Sequence, residues 1–385
     1  MQELFKAAVE RGASDIHIKA GDFMRARIHG VLQPLTQQKL TPEQVKGIAL
    51  QLIPHEDDKK GFDKLLDYDC SWGIPGVGRF RVNIMKQRGS PMIVMRAIPF
   101  EIPTVEDLGL PAIINRIAAH ERGLILVTGV TGSGKSSTMA AMINWINKNK
   151  HVHIVTLENP IEFLHRDNQS SVTQRDIGTD TASFDSGLRA VLRQDPDVIL
   201  IGEMRDKVTI ETALKAAETG HLVISTLHTR NAVQTISRIV AVFEPTEQEM
   251  IRVRLSESLQ AVISQRLVQR KTGGRVAAVE VMLMTSTIRD CVRDAERMEE
   301  ITDLIEEGKD HYGSQTFDQH LTELVRAGAV QFEVAKAAAN NPADFDLKMN
   351  MLGDTKSARG AASGSRPGGT QNLADEMGRM MGGSK

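Results

Sequence analysis

The chain has 385 residues, a length for about two or three domains, and a net charge of −2 that gives no global reason to expect nucleic-acid binding. Hydrophobic residues make up 41% and aromatics only 4%, so the cores must rest on Leu, Ile, Val, Met and Ala. Cys70 and Cys291 are too few for a disulfide framework or a four-cysteine zinc site, and no apolar run approaches the roughly 20 residues of a membrane helix.

The start, Met1-Gln2-Glu3-Leu4-Phe5-Lys6, carries early charges and no long apolar core. No secretory signal is expected there. With so few cysteines, a cytoplasmic chain is the natural reading, and any membrane link must run through a partner. Residues 1–100 read as a small α+β domain. Glu3 to Arg11 reads as a short helix ended by Gly12. Asp15 to Lys19 and Arg25 to His29 alternate polar and apolar, as half-buried strands do. Thr41 then caps a helix with Pro42 at its first position. Arg79-Phe80-Arg81-Val82-Asn83-Ile84 alternates strongly, with the apolar residues on one face and the polar ones on the other. Gly89-Ser90 turns the chain into a strand from Met92 to Ile98. Pro99, Pro103 and Gly109-Leu110-Pro111 punctuate the next stretch, where residues 101–112 are expected to link two domains.

From Ile113 the pattern changes to apolar runs separated by helical segments. Leu124 to Thr128, His153 to Leu157, Val198 to Ile201 and Leu222 to Thr226 read as buried strands of a mainly parallel sheet. Arg275 to Leu283 reads as a further strand, followed by a helical tail from Ser286 to Ala339. The run from Ser357 to Gly369 is too rich in Gly and small residues to form a core, so disorder is expected there.

The first of these strands leads into Gly129-Val130-Thr131-Gly132-Ser133-Gly134-Lys135-Ser136, which fits the phosphate-loop pattern at every required position. Ser137 opens a helical pattern in which Met139, Met142, Ile143 and Ile146 recur at helical spacing. Strand, glycine loop and helix are what phosphate binding needs: loop amides wrap the anion and the helix N-terminus favours its charge. Lys135 is expected to reach the β/γ-phosphates of ATP, and the Ser136 hydroxyl to bind Mg2+.

Four further segments can be weighed on their residues. Glu158 closes an apolar strand before Asn159-Pro160, where open parallel sheets place ligands. It reads equally as a water-activating carboxylate or as a surface acid in a proline turn. Glu203 follows the apolar run Val198-Ile199-Leu200-Ile201 and Gly202, which resembles a Walker B segment without its usual Asp. It reads as a magnesium-site acid or as a solvated strand end. His221 and His228 bracket another strand; one of them reads as a γ-phosphate hydrogen-bond donor that senses hydrolysis, or both as core or capping histidines. Arg79, Arg81, Arg88 and Arg96 read as a solvated strand face or as a source of arginine fingers.

In this order, the segments resemble the ATPases of type II secretion and type IV pili, and within them the PilT/PilU branch of pilus retraction ATPases. The resemblance runs from Ser14-Asp15-Ile16-His17 to about Leu324. It is carried by Gly78-Arg79-Phe80-Arg81-Val82-Asn83, the phosphate loop, Glu158-Asn159-Pro160-Ile161-Glu162 and Gly202-Glu203-Met204-Arg205-Asp206. It continues through Glu218-Thr219-Gly220-His221-Leu222 and Leu255-Ser256-Glu257-Ser258-Leu259. It implies an α/β fold: a RecA-like P-loop core, with helices on both faces of a mainly parallel sheet, behind a small α+β PAS-like domain. The core then spans 113–345 with its C-terminal helices, and residues 346–385 form a disordered tail.

The resemblance also implies roles. Glu158 matches the catalytic glutamate of the family's aspartate-rich box, with Asn159 where the family often has Asp. Glu203 matches the acid of an atypical Walker B, where Gly202 is expected. His221 and His228 match the histidine box, and Arg81 and Arg96 match arginines that approach nucleotide from the N-terminal domain. Ser136 and Glu203 are the expected magnesium residues. The implied assembly is a homohexamer at the inner membrane, working on the pilus platform protein, with a paralogous retraction ATPase as a second partner.

Assembly-type relatives usually carry an extra N-terminal domain and a four-cysteine zinc site, so the start of this chain and its two cysteines favour the retraction type. Ser286-Thr287-Ile288-Arg289-Asp290 and Gln265-Arg266-Leu267-Val268 look like the PilU side, and Leu255 to Gln260 like PilT. An accessory motor therefore stays beside the main motor as an alternative, with a RecA-like nucleic-acid motor as a more distant one.

Overall fold

The structure, a computed structural model, describes residues 2–28, 30–75, 77–98 and 101–351. His29 and Pro99, and residues 352–385 with most of the expected tail, lie outside the described residues.

The N-terminal part is built on six antiparallel strands: β1 (Ala13–Lys19), β2 (Arg25–Ile28), β3 (Val31–Pro34), β4 (Asp67–Ile74), β5 (Gly78–Gln87) and β6 (Ser90–Ile98), in the order β3-β2-β1-β6-β5-β4. Period-2 alternation sorts the residues of β5. Phe80, Val82 and Ile84 are buried, and Phe80 packs with Phe5 and Trp72 in an aromatic cluster. The helices Gln2–Glu10 and Pro42–Leu52 cover this face with Phe5, Ala8, Val45, Ala49 and Leu52. The second helix starts as its sequence requires: Pro42 stands in the first turn, and Thr41 and Gln44 cap each other reciprocally. Arg79, Arg81 and Asn83 are left on the opposite face.

The second sheet contains β7 (Gly123–Thr128), β8 (His153–Glu158), β9 (Ser171–Asp176), β10 (Val198–Ile201), β11 (Leu222–Leu227), β12 (Leu259–Gln269) and β13 (Arg275–Leu283). Their order is β13-β12-β7-β11-β10-β8-β9, parallel throughout except for the β12–β13 hairpin. Every residue of β7, β10 and β11 is buried, because helices cover both faces. Lys135–Asn149 packs on one side and Lys207–Glu218, Ala232–Val240 and Pro245–Ser258 on the other. Val105 and Leu110, in the stretch expected as a linker, are buried in this second core. The C-terminal helices pack Phe317, Leu321 and Phe345 against the β12–β13 hairpin, and residues 342–351 are helical. The parallel strands all end on one edge, which is where loops can converge on a ligand.

Candidate functional site

The phosphate loop occupies that edge after β7, an inner strand between β12 and β11. Gly129 has φ 144° and Gly134 φ 95°, a region that favours glycine. A Cβ on Gly129 would stand 2.4 Å from the Gln265 carbonyl and 2.5 Å from Ser133 Oγ, so the turn leaves no room for a side chain. Gly134 then sets the start of the helix Lys135–Asn149, whose first amides face the loop. Lys135 folds back: its Nζ donates to the carbonyls of Gly129 at 2.9 Å and Val130 at 3.1 Å. Burial lowers its pKa, while the charges of Glu162 and Glu203 oppose the shift.

Two acids close neighbouring strands on the same edge. Glu158 ends β8, and its Oε1 accepts Thr156 Oγ1 at 2.6 Å and Gln174 Nε2 at 3.1 Å. Burial raises its pKa, Thr156, Gln174 and the Glu162 amide pull it down, and the net direction is up. Glu203 follows β10. Its Oε2 lies 2.6 Å from Arg205 Nε and 3.6 Å from His228 Nε2. Gly202 explains the missing Walker B aspartate in packing terms: a Cβ there would stand 3.3 Å from the Leu157 carbonyl and 3.6 Å from Glu158 Cα. The absence of a side chain lets the ends of β8 and β10 approach. Thr226 Oγ1 donates to the Gly202 carbonyl at 2.7 Å and ties in the end of β11.

The two histidines part company. His228 follows β11 and faces Glu203. His221 precedes β11, with Nδ1 2.9 Å from the Ala216 carbonyl, and its own carbonyl accepts Gly123 N at the start of β7. A six-residue strand is about 20 Å long, so His221 stands at the opposite edge from the phosphate loop of its own subunit. The expectation that both histidines serve one site does not hold within this chain.

The two arginines also differ, although they face each other across β5 and β6. Arg81 lines a cleft of about 510 Å3 between the domains, together with Asp69, Asp176, Glu203 and Arg205. Arg96 instead donates Nε to Asp15 Oδ1 at 2.9 Å. Thr156, Gln174, Arg205 and Thr226 were not expected at the site. Thr156 was readable, since period 2 puts it on the face of Glu158. Gln174 was not, because only the β8–β9 register places it opposite Thr156.

This arrangement fits a nucleotide. Ser133 Oγ is buried in the loop without a hydrogen-bond partner among the described residues, and the Lys135 ammonium donates to backbone carbonyls that a phosphate can outcompete. Ser136 and Glu203 offer oxygen donors, which suit magnesium. The described residues contain no cluster of three or more His, Cys, Asp or Glu that would cage a metal, so magnesium would share its shell with phosphates and water.

The Type II/IV secretion system protein family model matches residues 1–335. The type IV pilus retraction ATPase PilT of Pseudomonas aeruginosa is 43% identical over 343 residues, which covers 89% of this chain and 99% of that protein. The type IV pilus ATPase PilU of the same organism is 39% identical over 353 residues, or 91% of each chain. Among solved structures, the crystal structure of the pilus retraction motor PilT with bound ADP matches at TM-score 0.81 and 44% identity, covering 89% of this chain and 98% of that one. This chain therefore belongs to the type II/IV secretion ATPases, on the branch formed by the type IV pilus retraction ATPases.

Proposed function

We propose that the chain is a magnesium-dependent motor that hydrolyses ATP to ADP and phosphate and drives type IV pilus retraction. It works as a homohexameric ring on the cytoplasmic side of the inner membrane, against the pilus platform protein. The observation that carries this reading is the convergence of the phosphate loop, Glu158, Glu203 and His228 on one sheet edge, with Arg81 of the other domain in the same cleft as Glu203.

Lys135 leaves the Gly129 and Val130 carbonyls to hold phosphate, and the amides from Gly129 to Ser137 complete the cradle. Ser136 and Glu203 hold magnesium, which neutralises charge on the phosphates when bound. Glu158 orients the attacking water and accepts its proton. His228, beside Glu203, senses the γ-phosphate. Arg81 draws the N-terminal domain toward the nucleotide, while its cross-strand neighbour Arg96 stays on Asp15. Loss of the γ-phosphate charge releases that domain, and the release becomes rotation of one domain against the other.

The test is ATP turnover and particle mass of the purified chain, with and without magnesium. A ring-sized assembly with magnesium-dependent turnover supports the reading. A monomer without turnover contradicts it. The 39% identity to PilU over 91% of both chains supports a second reading, an accessory retraction ATPase. Turnover that rises strongly on adding a paralogous retraction ATPase would favour that one.

A further inference from the structure

Asp176 ends β9 and is 3% exposed. It is the sheet neighbour of Glu158, and Ile177 N donates to the Glu158 carbonyl at 2.9 Å. Yet its carboxylate reaches the other domain. Asp176 Oδ2 accepts Ser71 Oγ of β4 at 2.6 Å and Arg79 Nη2 of β5 at 2.8 Å. The same guanidinium nitrogen donates to Ser71 Oγ at 2.6 Å, which closes a three-membered polar cluster. Nearby, His55 Nε2 lies 3.1 Å from the Gly178 carbonyl. The turn that carries Asp176 is itself fixed, because Asp180 Oδ2 accepts the Asp176 amide at 2.8 Å.

Arg79 and Arg81 are two positions apart on β5 and share a face. Docking Arg79 on Asp176 therefore determines where Arg81 enters the cleft it shares with Glu203. We propose that Asp176, Ser71 and Arg79 form a releasable latch between the two domains of each subunit, and that this latch positions Arg81 at the nucleotide site. It is built to release. Arg79 Nε is buried without a partner among the described residues, and a buried ion pair left partly unsatisfied recovers little of its desolvation. The cluster holds the domains in register while remaining easy to exchange for another arrangement. Its effect on turnover rests on the reading of Arg81 given above; the latch itself does not.

Amide hydrogen exchange reads the latch in the chain as it exists. The segments that meet across it are β4 around Ser71 and the turn from Asp176 to Asp180, while β10 and β11, buried throughout, serve as an internal control. In Arg79→Gln, the amides of that turn should exchange about tenfold faster or more, with β10 and β11 unchanged. An unchanged rate in the turn, or equal acceleration in β10 and β11, overturns the latch.

Turnover separates the two claims. Arg79→Gln should lower kcat in the wild-type background and have no further effect in Arg81→Ala. A loss that persists in Arg81→Ala overturns the positioning of Arg81. If Arg81→Ala alone turns over like wild type, the nucleotide reading of Arg81 fails while the exchange result still decides the latch.

Discussion

Thr156 Oγ1 stands 2.6 Å from Glu158 Oε1, two residues earlier on the same face of β8. The hydroxyl fixes one carboxylate oxygen, and Gln174 shares it. A carboxylate held this way at a strand end is aimed rather than merely present. Glu158→Gln should keep nucleotide affinity and lower kcat by about a hundredfold to ten-thousandfold. Nucleotide titration beside phosphate release checks it; wild-type turnover in the variant would remove Glu158 from the role of base.

The direction of the Glu158 shift adds a pH prediction. Burial raises its pKa above the ordinary 4.5, and the base works only when ionised. Turnover should fall on the acid side with a midpoint above 4.5. Thr156→Val removes a hydrogen bond that favours the ionised form, so its midpoint should move further up. A midpoint that stays put or moves down would show that another group sets the acid limb.

Arg81 and Arg96 are predicted to separate. Arg81→Ala should lower kcat/KM with little change in stability, since Arg81 is exposed in the cleft. Arg96→Ala should chiefly cost stability, about 1 kcal/mol, because it leaves Asp15 at 7% exposure without its main partner. Steady-state kinetics and urea unfolding of both variants distinguish them. Equal loss of turnover would mean that the domains rearrange enough to bring Arg96 to nucleotide.

Glu280 provides a stability test away from the chemistry. It is 3% exposed, its Oε1 accepts the Ala232 amide at 2.8 Å, and burial pushes its pKa up to about 7. A carboxyl raised in the folded state contributes stability that is full below its unfolded value of 4.5 and lost as pH rises through about 7. The loss is on the order of 3 kcal/mol. Thermal melts of Glu280→Gln should therefore lose part of the wild-type decline between the acid and alkaline ends of this window. A decline as steep as wild type would assign it elsewhere.

The sequence made the site legible where local pattern and global position coincide. The phosphate loop has a fixed glycine spacing, and β7, β8, β10 and β11 are largely apolar runs, the appearance of strands buried on both faces. β12 escaped because the helix Pro245–Ser258 runs directly into Leu259, with no turn residue between them. β9 escaped because Ser171 to Asp176 is polar on both faces, as an edge strand can be. His221 and His228 were paired by the family's histidine box, although the strand between them puts them at opposite edges of the sheet. The Arg79–Asp176 contact joins residues 97 positions apart, and no local signal carries such a pairing.

The most direct measurement is imaging of labelled pili in cells that lack this protein, re-supplied with wild type or Lys135→Ala. Lys135 donates to the loop carbonyls it must release to bind phosphate, so its loss should abolish nucleotide use without disturbing the fold. The account predicts that retraction fails without the protein and returns only with wild type. Retraction that persists without the protein, or that Lys135→Ala restores fully, would contradict a motor driven by its own ATP cycle.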